Sequence, residues 1–354
     1  MNRFAQALAQ RPWLLADGAT GSNLFEMGLV SGDAPELWNV EHPDRIALLH
    51  RRFIDAGADI ILTNSFGGNA MRLKLHQAQG RVGELNEAAA RIARREADAA
   101  CARAGREVIV AGSIGPTGEV LQPVGALTAE EAARAFAEQA QALARGGADV
   151  MWIETMSSKE EVAAAVEGAA TTGLPIVVTM SFDTHGSTMM GVTAAEFIAF
   201  GRTLPQRLAA CGSNCGVGAA EVVAGMLNMK RANDRQGDGP VLVAKGNCGV
   251  PRFVDGAIRY DGTPELMAVY ARMALDAGAR IIGGCCGTSP EHLRAMRRAL
   301  DAHTQAAAPT IDEVEAALGE VSRGAKALWD GAADLRVASR RASGRRAAGA
   351  DRGD

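Results

Sequence analysis

Short runs of β-branched and apolar residues alternate along the chain with longer, Ala-rich stretches in which apolar residues recur at helical spacing. The short runs fall at residues 13–17, 59–63, 107–111, 150–154, 176–181, 207–212, 241–245 and 280–283. Most are apolar on both faces, as parallel strands covered by helices are. Stretches 129–145, 158–171 and 264–277 read as amphipathic helices between them. Three junctions resemble one another: Asp55-Ala56-Gly57-Ala58-Asp59, Arg145-Gly146-Gly147-Ala148-Asp149 and Asp276-Ala277-Gly278-Ala279-Arg280 each precede an apolar run. Each predicts a helix closed by a left-handed Gly and followed by a buried strand. Eight strands with crossover helices predict an α/β fold, a closed (β/α)8 TIM barrel. An open, doubly wound sheet is the alternative.

Length and composition agree with a barrel. The chain has 354 residues, 47% of them hydrophobic, enough for one large core. A net charge of −4 gives no reason to expect nucleic acid or an anionic membrane as a partner. The amino-terminal residues lack the apolar core of a signal peptide, and no apolar run approaches the roughly 18 residues of a spanning helix. Six cysteines in such a chain suit a reducing cytoplasm, where clustered thiols mean metal or catalysis rather than a disulfide framework. The expected organisation is a catalytic barrel over 1–300 and a helical extension over 301–336, with one or two helices between 310 and 328. A flexible, basic Ala/Arg-rich tail follows over 337–354.

Active sites of such barrels lie at the carboxyl ends of the strands. Small and polar residues gather at those positions here: Asp17-Gly18-Ala19-Thr20-Gly21, Thr63-Asn64-Ser65-Phe66, Glu154-Thr155, Ser181-Phe182-Asp183, Asn214-Cys215-Gly216, Asn247-Cys248-Gly249 and Gly283-Gly284-Cys285-Cys286-Gly287. Cys215 ends the sixth run, and Cys285 and Cys286 end the eighth, so their thiols can converge. Three thiolates on Zn2+ leave one tetrahedral position open, the arrangement of a catalytic site. Cys-rich ligation also selects zinc over oxygen-preferring metals. Cys101 and Cys211 read as small packing residues. Cys248 sits at the rim, and as a fourth thiolate it would close the site, as a zinc-binding scaffold barrel requires. A redox pair would be expected to carry a Cys-x-x-Cys element, which is missing. The six histidines are scattered, with no pair at ligand spacing.

Together, Asp17-Gly18-Ala19-Thr20-Gly21, Thr63-Asn64-Ser65-Phe66, Asn214-Cys215-Gly216 and Gly283-Gly284-Cys285-Cys286-Gly287 resemble the homocysteine S-methyltransferase family across about residues 14–300. That family includes betaine–homocysteine methyltransferases, S-methylmethionine-dependent enzymes and the homocysteine module of cobalamin-dependent methionine synthase. The resemblance implies that Cys215, Cys285 and Cys286 hold one zinc ion and that homocysteine sulfur takes the open position. It also implies that Asp17, Gly18 and Glu154 bind the amino acid end of homocysteine, with Ser65, Phe66, Ser181 and Asp183 as further pocket residues. A free alkyl thiol has a pKa near 8.5 and is mostly protonated at neutral pH, so metal coordination is what makes it a nucleophile.

The methyl donor is less determined. A betaine cage works through cation–π attraction, to which Trp38 and Phe66 would contribute, but Gly67 and Thr155 stand where mammalian-type betaine enzymes carry tyrosines. The region 38–42 resembles bacterial betaine-type enzymes, so betaine is the expected donor. The alternatives are a sulfonium, such as S-methylmethionine or dimethylsulfoniopropionate, and a corrinoid protein in a split methionine synthase. A homo-oligomer fits the family but cannot be read from the residues.

Overall fold

A computed structural model of the chain describes residues 2–331 except 183–184, 238, 250 and 255–256. The expected tail at 337–354 and the pocket candidate Asp183 therefore lie outside the described residues. Ten strands are present: β1 (Leu14–Leu15), β2 (Ile60–Leu62), β3 (Ile109–Ile114), β4 (Val150–Met156), β5 (Ile176–Met180), β6 (Ala210–Cys215), β7 (Val241–Gly246), β8 (Pro251–Val254), β9 (Ala257–Tyr260) and β10 (Ala279–Gly284). Eight of them form one parallel sheet in the order β1-β10-β7-β6-β5-β4-β3-β2. A bridge between Ala16 and Ile60 joins the outer strands and closes the ring. The fold is thus a (β/α)8 TIM barrel, and the open-sheet alternative falls.

The strands are apolar on both faces because each face has its own core. Leu14, Ala16, Ile60, Leu62, Ile109, Ala111, Val150, Trp152, Val177, Ala210, Val243 and Ile281 point inward and fill the barrel. The residues between them, among them Leu15, Ile61, Val110, Met151, Val178, Leu242 and Ile282, pack outward under the helices. The helix Ala129–Arg145 begins with a capping box between Thr128 and Glu131, and helices Lys159–Ala170 and Pro264–Asp276 fall where helical spacing predicts them. Gly57, Gly147 and Gly278 all take positive φ, at 111°, 103° and 101°, which releases each helix into the next strand.

Two features were not expected. Helix Arg3–Gln10 crosses the amino-terminal mouth of the barrel and drives Phe4, fully buried, into the inner core. An antiparallel hairpin, β8 with β9, stands between the seventh barrel strand and helix Pro264–Asp276. Beyond residue 300, helices Ile311–Leu318 and Arg323–Trp329 lie against helix Ala219–Gln236. Arg231 of that helix donates to the carbonyls of Leu328 and Trp329 and stacks 4.3 Å from the Trp329 ring centre. No helix among the described residues is long and apolar enough to cross a membrane.

Candidate active site

Strand β6 extends to Cys215 itself, and β10 to Gly284, so the three rim thiols hang from two strands that flank β7. Cys215 Sγ lies 2.8 Å from Cys285 Sγ and 3.9 Å from Cys286 Sγ, with all three sulfurs within 4.8 Å of one another. These separations bracket the roughly 3.8 Å edge of a tetrahedron built on 2.3 Å zinc–sulfur bonds. Hydrogen bonds from Cys215 and then Cys285 hold the Cys286 thiol down to about 3, with a further bond from Tyr260, while burial opposes. The same contacts push Cys215 well up. The three sulfurs thus form one compact donor set that fits a soft divalent cation.

The backbone around the thiols is tightly constrained. Cys215 and Thr155 take left-handed φ angles of 58° and 62°, a region costly for residues with a Cβ. Asn214, fully buried, holds the second of these in place: its Oδ1 accepts from Thr155 N at 2.8 Å and Thr179 Oγ1 at 2.7 Å, and its Nδ2 donates to Thr155 Oγ1 at 2.7 Å. Asn247 ties the two ligand loops together, accepting from Cys286 N at 3.0 Å and donating to Gly216 O at 2.7 Å. Ser181 Oγ accepts from Gly216 N at 3.2 Å, so it braces the Cys215 loop and does not line the cavity.

Cys248 turns away from the other thiols. It is buried, donates to Gly262 O at 3.3 Å, and burial pushes its pKa up to about 12. The four-thiolate site of a scaffold barrel is therefore not assembled. Cys211 is packed in the core as expected, whereas Cys101 is exposed on helix Val82–Ala104 rather than packed.

The thiols form one wall of a cavity of about 660 Å3 whose other lining includes Gly18, Ser65, Phe66, Ser113, Glu154, Lys245 and Tyr260. Four expected residues, Gly18, Ser65, Phe66 and Glu154, thus meet the cluster. Gly18 tolerates no side chain, since a Cβ would fall 2.6 Å from Thr288 O and 2.8 Å from the Phe53 ring. Ser65 Oγ donates to Ser113 O at 2.7 Å. Glu154 accepts from Ser113 Oγ at 2.5 Å, and burial pushes its carboxyl above the usual range, with nearby Lys245 opposing.

Besides Ser181, two expected residues lie outside the cavity lining. Asp17 does not line it: Oδ1 accepts from Lys245 Nζ at 2.7 Å and Oδ2 from Leu62 N at 2.7 Å, so both carboxylate oxygens are engaged in closing the barrel. Trp38 is buried outside the cavity, edge-on to His42, with the Arg45 guanidinium 4.8 Å from its ring centre. The Arg45 guanidinium thus already covers one face of this ring.

Sequence reading missed Lys245, Asn247, Tyr260 and Glu36. Glu36 is buried, accepts from Gly67 N at 2.6 Å and lines the cavity with Phe25, Phe66, Arg72 and His76. Only the placement of Asn247 beside Cys248 at a strand end offered a signal for any of the four.

Comparison with known proteins agrees with this geometry. The chain is 30% identical over 308 residues to a methionine synthase of Mycobacterium leprae and 31% over 312 residues to that of Mycobacterium tuberculosis. Each match covers 83% of this chain but only 25% of the relative, so the chain spans about a quarter of those proteins. The fold matches that of the Escherichia coli homocysteine methyltransferase MmuM in its metallated form, with a TM-score of 0.69 and 24% identity over 84% of this chain and 99% of that one. Residues 14–300 match the family model for homocysteine S-methyltransferase, and the chain belongs to that family.

Proposed function

We propose that this protein transfers a methyl group to the sulfur of homocysteine, forming methionine, with one zinc ion held by Cys215, Cys285 and Cys286. The observation that carries this reading is the convergence of three thiols, and no fourth, on the wall of a cavity large enough for an amino acid and a small donor. When bound, zinc would supply the positive charge that keeps the substrate sulfur deprotonated at neutral pH. The chain's own residues do the rest. Asn214 and Asn247 fix the two ligand loops. Glu154, with Ser113 on one oxygen, offers the other to the substrate ammonium, and Gly18, where a Cβ would strike Thr288 O and the Phe53 ring, lets the cavity-lining backbone pack closely there. Free, clustered thiols favour a reducing compartment, which supports a cytoplasmic location.

For the donor, a small onium compound, with betaine first, is supported by the far side of the cavity. There Glu36 and the rings of Phe25 and Phe66 line the space that a methylated cation would fill, with Arg72 and His76 lining the same cavity to meet a donor carboxylate. Sulfonium donors share this chemistry. Similarity to mycobacterial methionine synthases favours a second reading, in which a corrinoid protein delivers the methyl group. Methionine formation from homocysteine, assayed with betaine, S-methylmethionine, dimethylsulfoniopropionate and a methylated corrinoid protein in turn, decides the matter. Turnover with betaine is the expected result. Turnover only with the corrinoid protein overturns the donor, and no turnover with any donor overturns the reaction.

A further inference from the structure

Lys245 is a lysine almost wholly buried in the barrel. Its side chain is 2% exposed, lines the cavity and donates to Asp17 Oδ1 at 2.7 Å and Asp17 O at 3.2 Å. It sits on β7 in register with Asn214 on one neighbour and Gly283 on the other, beside both strands that carry the thiols. Burying an ammonium is costly unless it is paired and hydrogen-bonded. Asp17 answers that cost in part, and the remaining field of Lys245 falls on Glu154 and Cys285.

The charges around this lysine explain its presence. Zinc on three thiolates is formally one unit negative, and a fourth thiolate from the substrate makes the complex two units negative. Asp17 and Glu154 add two more buried carboxyls at the same end of the barrel. Among the described residues that line the thiol wall, Lys245 is the one cation beside them. We propose that Lys245 is a positioning residue that compensates the negative charge of the three-thiolate site, with Asp17 holding its ammonium in place, so that zinc and a substrate thiolate are held more tightly than the thiols alone would hold them. This inference rests on the zinc reading above. The competing explanation is structural: Lys245 serves only to neutralise Asp17, which closes the barrel through Leu62 N.

Zinc affinity of the full-length protein, measured at fixed pH by competition with a chromophoric chelator, separates the two. Lys245→Met is expected to weaken zinc binding by roughly 10–100-fold, the usual cost of removing a supporting group one shell from a metal. It also strands Asp17 and endangers folding, so the double variant Asp17→Asn/Lys245→Met carries the test where the single one fails to fold. With residue 17 neutral in both, the double variant is expected to bind zinc roughly 10–100-fold more weakly than Asp17→Asn alone if Lys245 acts through its charge. Asp17→Asn alone keeps the cation and removes an anion, so its affinity stays at or above that of the parent. Parent-like affinity in Lys245→Met, or equal affinity in Asp17→Asn and the double variant, overturns the inference while leaving the three-thiolate site intact. Failure of the unmodified protein to bind zinc at all would instead overturn the reading on which it rests.

Discussion

The two ends of this barrel are built from the same strands and solve opposite problems. At the amino-terminal end, charges are matched to partners. Asp59, 2% exposed, accepts from Arg11 at 2.7 Å, Leu15 N at 3.0 Å and Arg297 at 3.2 Å. Asp149 accepts from Arg94 at 2.8 Å and Val110 N at 2.9 Å. Helix Arg3–Gln10 covers the opening, and Phe4 fills it. At the carboxyl end the barrel stays open, two residues with side chains adopt left-handed backbone, and three thiols crowd within 4.8 Å. Strain and unmatched charge are concentrated where chemistry is expected, and the closed end supplies the stability that tolerates them.

That division can be broken from either side. Phe4→Ala should cost about 3–5 kcal/mol of unfolding free energy, through lost burial and the cavity left behind. Urea unfolding would show the loss, and zinc affinity should stay unchanged. A parallel fall in zinc affinity would mean that the ends are not independent.

Acid should act through a group belonging to neither end. His50 is fully buried on helix Pro43–Ala56, its Nε2 has no hydrogen-bond partner, and burial lowers its pKa from 6.5 to about 4. The unfolded chain therefore binds a proton that the folded chain refuses. The stability tied to this group is complete above pH 6.5 and is lost as pH falls toward 4, by about 3 kcal/mol. In zinc-free protein, His50→Gln should flatten this part of the stability curve. An unchanged slope would assign the acid sensitivity elsewhere.

The smallest expected effect lies at the open end. Asn247→Ala removes the bridge between Gly216 O and Cys286 N. Zinc affinity should fall by roughly 10–100-fold, with the unfolding midpoint little changed. A variant that loses stability but keeps its zinc affinity would make Asn247 a packing residue.

Much of this was legible beforehand, for identifiable reasons. Doubly apolar strands and left-handed glycines are local signals, so Gly57, Gly147 and Gly278 marked three junctions directly. Cys215, Cys285 and Cys286 were legible because the barrel fixes where strand ends converge. What was not legible depended on side-chain direction. Asn-Cys-Gly occurs at the ends of both β6 and β7, but only Cys215 adopts the left-handed backbone and joins the cluster. Cys248 points to Gly262 instead. Asp17 was expected at the amino acid end of the substrate, and nothing local revealed that Lys245, far along the chain, would pair with it. Trp38 was expected to contribute to a donor cage, and nothing local revealed that Arg45 would stack over its ring. Pairings across the barrel are long-range facts that periodicity does not encode.

The central claim is that Cys215, Cys285 and Cys286 form an open three-thiolate zinc site whose last position belongs to the substrate sulfur. Zinc-edge X-ray absorption on the full-length protein, with and without homocysteine, tests it most directly. The account predicts three sulfur ligands and one lighter ligand in the free protein, four sulfurs once homocysteine is added, and loss of the site in Cys215→Ala. Four sulfurs before homocysteine is added, or an unchanged sulfur count after it, would contradict the account.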